Sequence, residues 1–455
     1  MKRVALTWAL ALTFVMASAV RWADALEIKR STLSNGAVLL VSEQHQLPMV
    51  TMAIAFDAGA RRDPPDKAGL AALTASALEQ GTRAMAAADF DRAVDFMGSS
   101  VGVSADHDNA VAEMTSLTKY EPQTLHLLAQ MLTQPGLRDA DIVRKRGDQL
   151  AGLKAADEQP EYVAQVAFIK QLFGDTPYGH PIAGFPQSVA RLSPDDVRRF
   201  YRDHYRIGSA IIAVTGDVQA AAIKQQLERE LVGLDGTVPP QAAPPAPAVA
   251  PGIHLTVIDR AIAQANLIIG SGGVARSDPD YYKLQVMNYI LGGGGFSSRL
   301  MKVVRSKGGL AYSVDSGFEA GKFPGAFLVV LQTKNASANE ALKLVIEQLR
   351  EIRDAPVSSA ELEAAKKYLI GSFPLKLDRQ SQIASFMLET ELFGLGLDYA
   401  DRYPALINAV SVNDVQAMAR KYIHPDAIDI IAVADQSEAR VAVASFAATA
   451  TAANH

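Results

Sequence analysis

The chain has 455 residues, 49% hydrophobic and 20% charged, the balance of a globular protein able to bury large cores. Its formal net charge is −5 with no long run of either sign, which argues against a nucleic-acid-binding protein built on a basic face. It contains 0 Cys and 8 His, so disulfides, thiolate catalysis, iron–sulfur clusters and Cys-held zinc are excluded, and any metal would rest on His, Asp and Glu.

In chain order, Lys2 and Arg3 precede an uncharged run over residues 4–20, and Ala17-Ser18-Ala19 and Ala23-Asp24-Ala25 offer small-x-small cleavage sites. The expectation is a signal peptide over 1–25, a mature chain starting at Leu26, and a periplasmic or secreted protein with no stable membrane span after cleavage. An uncleaved anchor is the rival reading. Residues 37–41 and 50–56 are apolar runs of strand length. Residues 68–80, rich in Ala and Leu, read as a helix ended by Gly81. A second helix over 87–97 follows from the spacing of Phe90, Ala93, Val94 and Met97. Residues 99–105 and 110–117 read as strands, and 124–133, 139–156 and 161–173 as helices. Strands in neighbouring pairs and helices in runs predict an α+β fold with largely antiparallel sheets packed with helices.

Residues 238–251 read VPPQAAPPAPAVAP, a semi-rigid extended spacer. Three short patterns recur across it in the same order. Ala60-Arg61-Arg62-Asp63-Pro64 returns as Ala275-Arg276-Ser277-Asp278-Pro279. Ser193-x-x-Asp196-Val197 returns as Ser411-x-x-Asp414-Val415, and Ile211-Ile212-Ala213-Val214 as Ile430-Ile431-Ala432-Val433. The chain is therefore expected to hold two copies of one fold: an N-terminal domain over 26–237, a linker over 238–251, a C-terminal domain over 252–445 and a tail over 446–455.

The eight His contain no pair at i, i+3 or i+4, so no helix presents two imidazoles to one metal. No G-x-S-x-G elbow and no P-loop occurs. The strongest local anomaly is Gly292, Gly293, Gly294 and Gly295 followed by Phe296. Four glycines cost backbone entropy and would suit a flexible loop that another chain approaches closely, whereas a plain turn would need only one or two. Beyond them, Arg305 could cradle a peptide carbonyl or carboxylate with its planar fork, and Tyr312 could donate a phenol hydrogen bond to an oxyanion. A solvated helix-end Arg and a half-buried strand Tyr are the structural alternative.

The run from Gly293 through Arg299-Leu300, followed by Arg305-x-x-x-Gly309-Leu310-Ala311-Tyr312, resembles the C-terminal half of pitrilysin/insulinase-family zinc metallopeptidases, the group that includes mitochondrial-processing-peptidase-like proteins. Ser34-Asn35-Gly36-Ala37, Gly69-Leu70-Ala71 with Gly81-Thr82, Tyr178-Gly179-His180-Pro181-Ile182 and Gly216-Asp217-Val218 resemble landmarks of the N-terminal half. The resemblance covers almost the whole mature chain and breaks at one place. Family enzymes carry H-x-x-E-H in the Gly69–Gly81 frame, where two His hold zinc and Glu activates water. Here Ala72, Ala75 and Ser76 occupy those positions, and Gly152 stands where a third ligand, a Glu, is expected. Glu79 lies on the same helix one turn too late.

The resemblance implies two homologous domains forming half of a chamber, with no metal or other cofactor in this chain and zinc in a partner. It implies a non-zinc subunit of a heteromeric metallopeptidase. Arg305 and Tyr312 would complete the zinc site of an H-x-x-E-H-bearing chain, and Gly292–Gly295 with Phe296 would contact extended peptide substrates. Whether the chain is an enzyme is left open; alone it is expected to be inactive. A catalytically inert peptide-binding or scaffold protein of the same fold is the alternative.

Overall fold

The computed structural model describes residues 26–247 and 251–446. The expected signal peptide, linker residues 248–250 and the tail beyond Phe446 lie outside the described residues.

The first sheet is built from β1 (Lys29–Thr32), β2 (Val38–Glu43), β3 (Met49–Phe56), β4 (Ser100–Ala105), β5 (Ala110–Leu117) and β6 (Ile211–Gly216), in the order β1-β2-β6-β3-β5-β4. The second is built from β7 (Gly252–Asp259), β8 (Gln264–Gly272), β9 (Ala311–Glu319), β10 (Ala326–Lys334) and β11 (Ala427–Ala434), in the order β7-β11-β8-β10-β9. Apart from β1, the two orders coincide strand for strand. In each sheet one pair is parallel, β2 with β6 and β7 with β11, and the other pairs are antiparallel. The three repeated sequence patterns fall on equivalent elements. Ile211–Val214 and Ile430–Val433 lie in β6 and β11, and Ser193/Asp196 and Ser411/Asp414 each close a reciprocal capping box. Strand β1, with sequence KRST and no apolar alternation, has no periodicity signal and was not expected.

Central strands read as continuous apolar runs because both faces are covered. One face of each sheet packs on its own domain's helices. The other face receives a helix from the opposite domain. Helix α3 (Pro160–Phe173), reached after α2 (Asp139–Asp157), lays Ala164 and Phe168 on Ile268, Ile431 and Val433 of the second sheet. Helix α6 (Gln380–Leu392) lays Ile383, Ala384, Met387 and Leu388 on Leu40, Ala53, Ala55 and Ala213 of the first. Gly270 of β8 permits this contact: a Cβ there would come within 2.5 Å of the Phe168 ring. Described linker residues 238–247 form no helix or strand, as proline density dictates.

A polar knot ties the domains together. The β9–β10 tip inserts so that Lys322 N–H donates to Asp108 Oδ2 at 2.8 Å and Phe323 N–H to the Tyr178 hydroxyl at 3.3 Å. Tyr178 in turn donates to Asp108 Oδ1 at 2.6 Å. Arg61, with a fully buried side chain, pairs with Asp57 and lies 3.3 Å from Asp108 through Nε. The linker is drawn into the same knot. Gln241 Nε2 donates to the Arg61 carbonyl at 3.0 Å, and Arg62 donates to the Pro239 carbonyl at 3.0 Å.

Candidate functional site

Helix α1 (Leu70–Leu78) is the element on which the resemblance expects metal ligands. Its start is fixed by Gly69 at φ 96° and by Asp63, whose carboxylate accepts Gly69 N–H and Ala71 N–H at 2.7 Å each. Burial pushes the Asp63 carboxyl up to about 8, against the pull of those backbone donors. Ala72 and Ser76 are half-buried on α1 and Ala75 is buried. Ser76 Oγ donates to the Leu73 carbonyl at 3.1 Å, back into its own helix. Gly152, on the facing helix α2, is exposed, and a Cβ there would meet nothing within 4 Å. There is room for a side chain at that position, but the residues present supply no imidazole and no carboxylate, so they do not fit zinc. Among the described residues no group of three His, Asp or Glu could hold a metal.

Glu79 has a definite role instead. It is the residue just past α1, on the face of Ala72 and Ser76, and its Oε1 accepts the Val103 N–H of edge strand β4 at 2.9 Å. Five of the described imidazoles are engaged locally. His45, His126 and His254 face Asp217, Glu230 and Asp429 at 2.8, 2.8 and 3.3 Å. His180 Nδ1 contacts the Pro181 carbonyl and His204 packs on Phe200.

The glycine run lies where helix α4 (Tyr281–Asn288) passes into a π-helical turn, Tyr289–Gly293. Each glycine has an internal reason. A Cβ on Gly292 would stand 2.3 Å from Ser316 Oγ on β9, on Gly293 2.6 Å from Asn288 Nδ2, and on Gly294 2.5 Å from the Tyr289 carbonyl; Gly295 turns at φ 54°. Close packing and one left-handed turn therefore account for all four glycines without flexibility. A second π-helical turn, Met301–Lys307, carries Arg305, and β9 carries Tyr312. The structure brings Phe296, Arg305 and Tyr312 together. The guanidinium carbon of Arg305 lies 4.8 Å from the Phe296 ring centroid and 4.9 Å from that of Tyr312. Among the described residues Arg305 has no carboxylate within ion-pair distance. Phe296 and Tyr312 are 70% and 80% exposed, so two aromatic faces are presented to solvent with a half-buried Arg305 between them. This departs from the structural alternative: Tyr312 is not half-buried, and Arg305 is packed between two rings rather than a free helix-end charge. No hydrogen bond or ion pair joins this cluster to α1 among the described residues.

The cluster rests on a rigid base. Arg299 grips Glu361 at the start of helix α5 (Ser359–Ser372) with two bonds of 2.8 and 3.0 Å, while Glu361 also caps that helix with Ser358. The Arg299 bond holds the Glu361 carboxyl down to about 2. The folded value is below the unfolded one, so this stabilisation is present above about pH 4.5 and is lost as pH falls toward 2. Because Glu361 is partly exposed, screening reduces its worth to about 1 kcal/mol. Glu361→Gln should lower the unfolding free energy read from urea titration by that amount at pH 7 and flatten the acid limb of the stability curve; an unchanged acid limb would assign the loss to other carboxylates.

Two family models match the chain: "Insulinase (Peptidase family M16)" over residues 38–185 and "Peptidase M16 inactive domain" over residues 191–369. It is 28% identical to an uncharacterized zinc protease of Streptomyces coelicolor over 398 residues, 86% of each chain. It is 27% identical to the non-peptidase homolog YmxG of Helicobacter pylori, over 85% of this chain and 87% of that one. Among solved structures, a peptidase M16 inactive domain from Pseudomonas fluorescens superposes with a TM-score of 0.84 at 27% identity, over 90% of this chain and 98% of that one. A protease from Helicobacter pylori shares the fold with a TM-score of 0.81 at 19% identity, over 90% and 99%.

Proposed function

Since the chain belongs to peptidase family M16 and lacks all four residues of that family's zinc centre, we propose that it is the non-zinc subunit of a two-chain peptidase. The observation that carries this reading is asymmetric loss. Every metal position on α1 and α2 is vacated to Ala, Ser or Gly, while an exposed Tyr312 and a half-buried Arg305 stand preorganised beside Phe296. A carboxylate-free arginine held between two solvent-exposed aromatic rings has little use in folding, but it suits recognition of a peptide backbone.

In this reading a homologous chain carrying H-x-x-E-H holds zinc and performs hydrolysis. Arg305 binds a substrate carbonyl with its planar fork. Tyr312 donates its hydroxyl proton in a hydrogen bond to the oxygen where negative charge develops. Phe296 and the Gly292–Gly295 loop line the approach of an extended peptide. The two chains enclose the peptide in a chamber, each contributing one half. The uncharged run over 4–20 and its small-x-small motifs support a periplasmic or secreted location for this complex. No helix among the described residues is long and apolar enough to cross a membrane.

The test is reconstitution. The purified chain alone should bind no stoichiometric zinc and cleave no peptide. Mixed with a homologous H-x-x-E-H chain encoded beside it, it should form a stable complex with zinc-dependent peptidase activity. Zinc-dependent cleavage by this chain alone, or full activity of the zinc chain without it, defeats the proposal. A complex that binds peptides without cleaving them would instead favour the scaffold reading.

A further inference from the structure

An extended peptide can be held by adding to a sheet edge, where unpaired N–H and C=O groups bond its backbone. The two free edges on the site side are β4 in the first sheet and β9 in the second. Both are closed from within at equivalent places. On β4, the central outward donor, Val103 N–H, is taken by Glu79 Oε1 at 2.9 Å. On β9, the Ser316 carbonyl accepts from Asn288 Nδ2 at 2.9 Å, and Ser316 Oγ donates to Asn288 Oδ1 at 2.6 Å. Glu79 follows the last residue of α1, whereas Asn288 lies further back on the corresponding helix of the second domain, which runs on through the π-helical turn to Gly293. Each domain thus sends one side chain from the helix beside its edge strand to the middle of that strand.

The two closures differ in kind. The Asn288–Ser316 contact is sealed by Gly292, where any side chain would collide with Ser316. The Glu79 closure is a single bond from one flexible, partly exposed side chain to one backbone donor. By the alternation of an antiparallel strand, Val101 and Ala105 face the same side as Val103, so an incoming strand meets Glu79 at the centre of the three residues it would pair with. A carboxylate acceptor outcompetes a peptide carbonyl for that N–H, because charge-assisted hydrogen bonds are about twice as strong as neutral ones.

We infer that Glu79 is a built-in competitor for extended peptides at the β4 edge. A peptide bridging two chains therefore adds its strand to the sheet of the zinc-bearing chain, and this chain contributes only Arg305, Tyr312 and Phe296. The inference rests on the peptide-handling reading above. It assigns the strand-adding edge within the complex, and it gives the residue past α1 a role that no metal ligand there would explain.

The experiment uses the full chain and its Glu79→Ala and Glu79→Gln variants, with a fluorescent unstructured peptide as probe and hydrogen exchange read by mass spectrometry. Glu79→Ala should tighten peptide Kd about five- to tenfold, and peptide should protect residues 100–105 in that variant but not in the wild type. Glu79→Gln keeps an acceptor oxygen but not its charge, so its Kd should fall between those of wild type and Glu79→Ala. Glu79→Asp, which keeps the charge but withdraws the oxygen from Val103, provides a second open-edge variant if the alanine protein fails to fold. Peptide protection of 100–105 in the wild type, or an unchanged Kd in both open-edge variants alongside binding elsewhere, overturns the competitor. Binding by none of the proteins, alone or with the zinc-bearing chain, overturns the peptide-handling reading and the competitor with it.

Discussion

In a complex with an H-x-x-E-H chain, Tyr312→Phe is expected to lower kcat about 100-fold and to leave KM nearly unchanged. The hydroxyl is the only group removed. In this chain it makes no hydrogen bond among the described residues and projects from β9 with 80% of the residue exposed, so folding does not depend on it. Its contribution would appear only when charge develops on the substrate oxygen, which is the condition for an effect on kcat rather than on binding. Arg305→Ala should act differently. An arginine that holds a substrate carbonyl contributes to ground state and transition state alike, so KM should rise about tenfold. Arg305→Lys should rescue little of this, because an ammonium neither stacks between Phe296 and Tyr312 nor offers a planar fork. Steady-state kinetics on the reconstituted pair decide the matter. Turnover equal to wild type in Tyr312→Phe removes the residue from the chemistry, and an equal loss in all three variants would indicate a disturbed interface rather than two separate roles.

The fold was largely legible because its signals are local and repeated. The runs 50–56 and 110–117 are bounded by turn residues and appear as β3 and β5, and the repeated Ser-x-x-Asp pattern is a capping box in both domains. The missing zinc centre was equally legible, since a ligand is a residue type at a spacing and Ala72, Ala75, Ser76 and Gly152 are the wrong types. What escaped the sequence depends on contacts far apart in the chain. Phe296 was grouped with the glycines as a loop residue, yet its meaning comes from Arg305 lying against its ring. Glu79 was set aside as a ligand one turn too late, and nothing local reveals that its carboxylate reaches Val103, 24 residues on. The glycine run shows the opposite error. Flexibility was the natural reading of four glycines, but the cause is steric: the π-helical turn is pressed against Ser316 and against its own preceding turn. A π-helical turn has no distinctive periodicity at this length, so neither turn was expected.

Arg61 was noted only as part of a repeat, and it carries the largest stability prediction. Its side chain is fully buried, it pairs with Asp57 and Asp108, and its neighbours draw in the β9–β10 tip and the linker. Burial disfavours ionised Asp57, but Arg62 and Arg61 outweigh it and hold its carboxyl below the usual range. Removing one arginine from this set leaves buried carboxylates short of charge, a loss of about 3–5 kcal/mol rather than the small value of a surface pair. Arg61→Met, similar in length and uncharged, is therefore expected to shift urea unfolding by that amount and to expose the domain junction to proteolysis before global unfolding. Its repeat counterpart, Arg276, makes the comparison sharp. That guanidinium is also buried but lies 4.1 Å from the Tyr281 ring centroid and bonds the Tyr399 hydroxyl, with no carboxylate beside it. Arg276→Met strands no anion and should cost clearly less. The knot should also be acid-labile. Burial, with His180 adding to it, pushes His107 down to about 4, and burial lowers His180 and His204 as well. The folded values lie below the unfolded ones, so the unfolded chain binds more protons and stability falls as pH drops from about 6.5 toward 4. His107→Gln should remove part of that slope while leaving stability at pH 8 close to wild type. Equal costs for Arg61→Met and Arg276→Met would show that burial of the arginine stem, and not the ion pairs, holds the two domains together.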